Sequence, residues 1–231
     1  MPNITLPDDS VRSFDGPVDG FELASAIGPG LAKSAMMMIV DGNEKDLSSR
    51  IEQDCHVVIV TRRDPAAIEL IRHDCAHVMA EAVTELFPET QVTIGPAIEN
   101  GFYYDFYREK PFTESDLETI ERKMHEIIDR GDLFEREVWT RDEALSHYQN
   151  VEEPFKVELI QGIPQGEEIS FYRQGGFLDL CRGPHAPSTN HVGHAFKLMS
   201  VAGAYWRGDS SKPMLQRIYG TAWPDEKKLK A

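Results

Sequence analysis

The feature that most constrains this chain is a change of hydrophobic period at Asp64-Pro65. Before it, apolar residues come in short alternating runs divided by turn residues, the pattern of strands. After it, Ile71, Cys75, Val78, Ala82 and Leu86 recur at spacings of three and four, which makes one stripe along a helix. The 231 residues suit two small domains or one large one, and the switch of period favours two.

In the first segment, Ile4 to Leu6 and Val11 to Phe14 flank Asp8-Asp9 and read as a hairpin. Phe21 to Ile27 reads as a short helix stopped by Gly28-Pro29-Gly30. Ala35 to Val40 is an apolar strand ending at the turn Asp41-Gly42, and His56 to Thr61 is a final strand. This ββαββ order predicts a small α+β roll of the ubiquitin kind, with nothing catalytic in it.

The second segment opens with the striped helix. Asp64 is expected to cap it, with Pro65 in its first turn, and it should stop before Pro88. The Gly- and aromatic-rich stretch from Ile94 to Asp105 suits strand and turn. Tyr103 and Tyr104 would lie on its opposite faces, one for the core and one able to reach a site. A second helix should start at Thr113, present Leu117, Ile120, Met124 and Ile127 on one face, and end at Gly131. Thr140 and Glu143 form a capping box for a third. Short strands and turns dominate from Ile169, and the charged tail from Asp225 to Ala231 reads as the start of a linker.

The net charge of −15 argues against a protein that grips nucleic acid over its whole surface. It leaves room for an enzyme that takes only the end of an RNA through one local cationic pocket. No run of about 18 apolar residues occurs, so no membrane span is expected. The start, MPNITLPDDS, lacks the pattern of a secretory signal. Cys55, Cys75 and Cys181 are odd in number and widely spaced, which predicts free thiols and a reducing cytoplasm.

Two short patterns could carry chemistry. His73 and His77 project from one face of the predicted helix, with Cys75 turned toward the core. Cys181 and His185 repeat the four-residue spacing across a turn made by Gly183-Pro184. Three imidazoles and a thiol are ligands typical of zinc, and they equally suit holding a water and an ester. An HxxxH pair alone is common by chance; the two pairs in one chain carry more weight. Asp179 shares a face with Cys181 if that stretch is extended, and a carboxylate there could bind an ammonium group. Composition alone makes Lys156 a solvated helix lysine, His125 and His147 solvated, and His191 and His194 surface loop residues.

Together, HDCAH (His73 to His77), IGPAIENGFYYDF (Ile94 to Phe106), PFKVELI (Pro154 to Ile160), LDLCRGPH (Leu178 to His185) and GAYWRGDSSKPMLQRIYGTAW (Gly203 to Trp223) resemble the bacterial threonyl-tRNA synthetase family. The resemblance covers nearly all of residues 64–225, in order and with family-like spacing, and implies the editing domain shared by threonyl- and alanyl-tRNA synthetases. Residues 1–62 resemble that family's TGS domain, a ubiquitin-like β-grasp, and residues 226–231 would begin a linker. The family's aminoacylation core, with its class II motifs, ATP site and own zinc, does not occur in this sequence, which therefore reads as an amino-terminal fragment. Homodimer formation by the parent enzyme is expected to reside in that core.

The resemblance implies hydrolysis of seryl-tRNA(Thr). His73 would contact the terminal ribose and help with proton transfer. Lys156 would orient a water or stabilise the oxyanion, Asp179 would bind the serine ammonium, and Tyr104 with Asp179 would hold a second water. His77, Cys181 and His185 would shape the pocket. Lys156 and Asp179 are expected to face a wet cleft, so that replacing either would leave the fold intact. Spacing alone points to zinc on His73, His77, Cys181 and His185, as in alanyl-type editing domains; the threonyl family implies editing with no metal. A non-catalytic RNA-binding fragment is the third reading.

Overall fold

The computed structural model describes residues 1–230. Its first seven elements form a five-stranded sheet and two short helices. β1 (Asn3–Thr5) and β2 (Val11–Ser13) make the expected hairpin, with Asp9 at φ 62° in its turn. α1 (Gly20–Ile27) starts at a reciprocal cap between Asp19 and Glu22. Gly28-Pro29-Gly30 does not return the chain directly to a strand: a second short helix, α2 (Pro29–Ser34), begins on Pro29, whose fixed φ suits a first helical position. β3 (Ala35–Val40) then turns through Asp41 and Gly42, both at positive φ, into β4 (Asn43–Lys45). The sequence reading missed β4 because its three residues, Asn-Glu-Lys, are all exposed and carry no apolar alternation. β5 (Cys55–Thr61) closes the sheet in the order β2-β1-β5-β3-β4, with β1 and β5 parallel. Ile4, Leu23, Met38, Leu47 and Val57 fill the space between the sheet and the helices.

Asp64 does not cap the next helix. Its carboxylate turns back to accept from the Thr61 backbone N–H and hydroxyl, at 2.6 and 2.8 Å. α3 (Ala67–Leu86) therefore starts three residues later, at Ala67, with Ala66 in the cap position and no side-chain cap. It ends before Pro88 as predicted. From Leu70 to Val83 only His73 is not fully buried, so α3 is a central helix rather than an amphipathic surface one.

α3 packs on a second five-stranded sheet. β6 (Gln91–Val92), β8 (Gly101–Tyr107), β13 (Met214–Ala222) and β12 (Phe196–Tyr205) are hydrogen-bonded in that order, and β7 (Ala97–Ile98) folds back on β8. α4 (Glu114–Arg130) lies against α3, capped by Thr113 and ended by Gly131 at φ 68°. A third, antiparallel sheet joins β9 (Glu135–Trp139), β10 (Ile169–Gln174) and β11 (Phe177–Leu180). α5 (Arg141–Asn150), with its Thr140–Glu143 capping box, and α6 (Pro154–Gly162) cover it around Phe171 and Ile160. The fold class is α+β, as expected. The tail differs from the linker reading: Asp225 caps a one-turn helix, α7 (Glu226–Leu229). Ala231 lies outside the described residues. No helix among those described is long and apolar enough to cross a membrane.

Candidate functional site

Two pieces of chain far apart in sequence supply the site. α3 brings His73 and His77 to one face, one turn apart. β11 runs straight into the Cys181–His185 turn, where Gly183 takes φ 73°. The four side chains the sequence singled out converge, and their ligand atoms all lie within 4.8 Å of one another. His73 Nε2 is 3.1 Å from Cys181 Sγ, and Sγ is 3.3 Å from His185 Nε2. The Gly183 backbone N–H also donates to Sγ at 3.3 Å. The rings of His73, His77 and His185 stand 4.4 to 4.9 Å apart, centre to centre.

Burial decides their charge. Loss of solvent pulls the pKa of all three imidazoles below its ordinary value, furthest at His77 and His185, where repulsion from neighbouring imidazoles adds to it, while Asp74 and Asp179 partly offset it at His73. Burial pushes the Cys181 thiol up to about 12. The cluster is thus uncharged at neutral pH. His185 is held at its other nitrogen, Nδ1, by Asp74 Oδ1 at 2.7 Å. Asp74 also accepts from the Ala186 N–H at 3.1 Å, and burial raises its carboxyl to about 7. His77 Nδ1, by contrast, is buried with no hydrogen-bond partner. An orphaned imidazole nitrogen beside two further imidazoles and a thiol fits the donor set of a zinc site. One ligand, His185, has the carboxylate support on its far nitrogen that such sites use.

Beside this cluster lies a second one. Lys156, at the start of α6, is 1 % exposed and Asp179, on β11, is 2 % exposed. Lys156 Nζ donates to Asp179 Oδ1, to the Thr93 carbonyl at 2.7 Å and to the Tyr104 hydroxyl at 3.3 Å. Tyr104 in turn donates to Asp179 Oδ2 at 2.6 Å. All three ammonium protons and both carboxylate oxygens have partners. Burial and the neighbouring Asp179 charge raise the Tyr104 hydroxyl well above its ordinary pKa. Tyr104 is buried and Tyr103, on the other face of β8, lies under the Arg217 guanidinium, as the strand alternation requires.

These positions correct two expectations. Lys156 is not solvated, and the Lys156–Asp179 pair is dry rather than facing a wet cleft, so neither residue can be removed without leaving a buried charge. The reason is tertiary: α6 packs its first turn against β6, and the acceptors of the ammonium, Asp179, Tyr104 and Thr93, lie 23, 52 and 63 residues away. His125 and His147 are half-buried, not solvated; His125 stacks near Phe196 and His147 meets the edge of Trp139. His191 is half-buried against Ser188, and His194 is exposed as expected. None of these four joins the site.

Sequence reasoning missed Asp74, Asp46 and Tyr172. Asp74 had a signal: it sits three residues after Ile71 and four before Val78, within the apolar stripe. Asp46 and Tyr172 had none, because they meet across 126 positions.

The comparisons with known proteins identify both parts of the chain. Residues 2–61 match the TGS domain, and residues 169–219 match the threonyl and alanyl tRNA synthetase second additional domain. The chain is 62 % identical over all its 231 residues to a threonine–tRNA ligase of Rhodospirillum rubrum. It is 62 % identical over the same length to that of Gluconacetobacter diazotrophicus, and 56 % identical over 229 residues to that of Rickettsia akari. This chain has the two-domain amino-terminal region of the threonine–tRNA ligase family. It spans 36 % of the length of these relatives. In this family region the second additional domain begins its match on β10, the strand that leads to β11 and the Cys181–His185 turn.

Proposed function

We propose that the cleft hydrolyses seryl-tRNA(Thr), releasing serine and free tRNA, as the editing part of a threonine–tRNA ligase. The supporting observation is the convergence of His73, His77, Cys181 and His185 beside the closed Lys156–Asp179–Tyr104 network. We read residues 1–62 as the TGS domain, 64–225 as the editing domain and 226–231 as the chain leading out of it. Magnitudes explain the need: rejecting a ligand one methyl smaller supplies only about 1–3 kcal/mol, and a second site that excludes the larger amino acid supplies the rest.

In this reading the neutral imidazole of His73, the one cluster residue on α3 that reaches solvent, contacts the terminal ribose and passes a proton. Tyr104 and Asp179 hold water near the leaving oxygen. Lys156, bonded to Asp179 in a dry pocket, offers positive charge to the developing oxyanion. Asp179 supplies the negative charge that draws the serine ammonium, while His77, Cys181 and His185 form the tight wall against threonine's methyl. The partner is the acceptor end of tRNA(Thr) carrying serine. The parent ligase would be a cytoplasmic homodimer whose ATP and zinc sites lie in the remaining length of its relatives. Single-turnover deacylation by this chain tests the reading: seryl-tRNA(Thr) should be cleaved much faster than threonyl-tRNA(Thr), and equal rates, or none, would sink it.

The donor set supports a second reading, in which His73, His77, Cys181 and His185 would hold a zinc ion that would supply Lewis acidity. Metal content after purification without added zinc separates the two. A chain that folds, binds the acceptor end and cleaves nothing would leave only the third, a non-catalytic RNA-binding module.

A further inference from the structure

Asp46 follows β4 in the first sheet, yet both of its carboxylate oxygens are used by the second part of the chain. Oδ1 accepts from the His185 backbone N–H at 2.7 Å, and Oδ2 accepts from the Tyr172 hydroxyl at 2.6 Å. Asp46 is only 8 % exposed. Among the described residues it has no ion-pair partner; Arg136, which lines the same cavity, pairs with Glu168 instead. A buried carboxylate without a cation is a costly way to glue two sheets together, and an apolar side chain would serve docking better. Its hydrogen bonds are directional: one ends on the turn that carries the cleft's ligands, and the other on Tyr172 of β10, whose hydroxyl lies against that turn. The Tyr172 ring lies 4.2 Å from the His185 ring. Its hydroxyl fills the space where a side chain at Gly183 would stand: a Cβ there would come within 2.1 Å of it. His185 is therefore fixed twice, at its ring by Asp74 and at its backbone by Asp46.

We infer that Asp46 is a positioning residue for the cleft: from the TGS domain, it holds the Arg182–His185 turn and so sets where the His185 imidazole and the Cys181 thiol stand. The TGS domain is then a structural part of the site. The placement stands on geometry alone; its effect on hydrolysis rests on the deacylation reading above.

The experiment uses the whole chain labelled with ¹⁵N-histidine, in wild type, Asp46→Ala, Asp46→Asn and Tyr172→Phe. Asparagine keeps an acceptor for the His185 N–H and can donate its amide to the tyrosine oxygen, so it should preserve the turn although the charge is gone. Two quantities are read. In Asp46→Ala the His185 ring signals should move while those of His56, His125 and His147 stay, and Asp46→Asn should restore them. The single-turnover rate at saturating tRNA should fall roughly 10- to 100-fold in Asp46→Ala, the scale of a small misplacement near reacting atoms, with half-saturation unchanged, and Asp46→Asn should lie near wild type. Tyr172→Phe, which removes one of the two bonds, should give a smaller shift in the same direction and decides the matter if Asp46→Ala does not fold. If the wild type cleaves no seryl-tRNA, the deacylation reading fails while the histidine signals still decide the role of Asp46. Unmoved His185 signals in a folded Asp46→Ala or Tyr172→Phe chain, or signals that move in every histidine alike, would overturn it.

Discussion

The two halves of the cleft solve opposite problems. In the Lys156–Asp179–Tyr104 half, every ionic group has its partner and the charges cancel within a dry pocket. In the His73–His77–Cys181–His185 half, no group carries charge at neutral pH, and one buried nitrogen, His77 Nδ1, has nothing to bond. A closed ionic network resists rearrangement because breaking it strands a charge. An open neutral cluster keeps lone pairs for a water, a hydroxyl or a metal. The first half can hold geometry and field; the second can change partners during a reaction.

The most damaging way to break this contrast is Lys156→Ala. It leaves Asp179 buried and unpaired, and should lower unfolding stability by about 3–5 kcal/mol. Under conditions where it remains folded, seryl-tRNA cleavage should fall roughly a hundred- to a thousandfold, as for loss of a transition-state donor. Denaturant melts and single-turnover deacylation check both, and a folded variant that cleaves at the wild-type rate takes Lys156 out of the chemistry.

A triple change sharpens the point. Lys156→Met with Asp179→Leu and Tyr104→Phe replaces the network by apolar groups of similar size. Most of the lost stability should return, because a matched apolar set is often neutral against a buried ion pair, while cleavage stays lost. A triple variant as unstable as Lys156→Ala would show that the network holds the fold and not only the site.

The open half should behave differently. His77→Leu removes a nitrogen that has no partner, so chemical denaturation should place it within about 1 kcal/mol of wild type. A loss as large as that of Lys156→Ala would mean that the cluster is closed too. The smallest expected effect is that of chelation. Dialysis against a strong zinc chelator should leave the deacylation rate unchanged, and a large drop reversed by added zinc would transfer the chemistry to the metal reading.

The same contrast explains what could be read without the structure. His73 and His77 are related by one helical turn, and Cys181 and His185 by one glycine-proline turn, so local spacing announced each pair. The fold class followed from the change of period at Asp64-Pro65, the helix start at Thr113 and the capping box at Thr140. Lys156 could not be read because its burial depends on Asp179, Thr93 and Tyr104, which arrive from three other elements. The Asp64 cap failed for a related reason: the Thr61 N–H and hydroxyl, three residues back, compete for the same carboxylate and win it. Asp74 was missed because an acid on a helix is usually solvated, whereas α3 is enclosed on nearly every side.

The uncapped start of α3 has a bearing on the order in which the chain assembles. α1, α4 and α5 each begin at a reciprocal cap between residues three apart, a signal available before any distant contact forms. α3 has no such signal. Besides α4, it packs on β8 and β13, strands about 110 residues apart that pair Tyr104 with Ile218, and such distant pairing is slow to nucleate. The sheet that seats the helix of His73 and His77 is therefore complete only once β13 has been made, and until then two of the cleft's four donors lack part of the wall behind them.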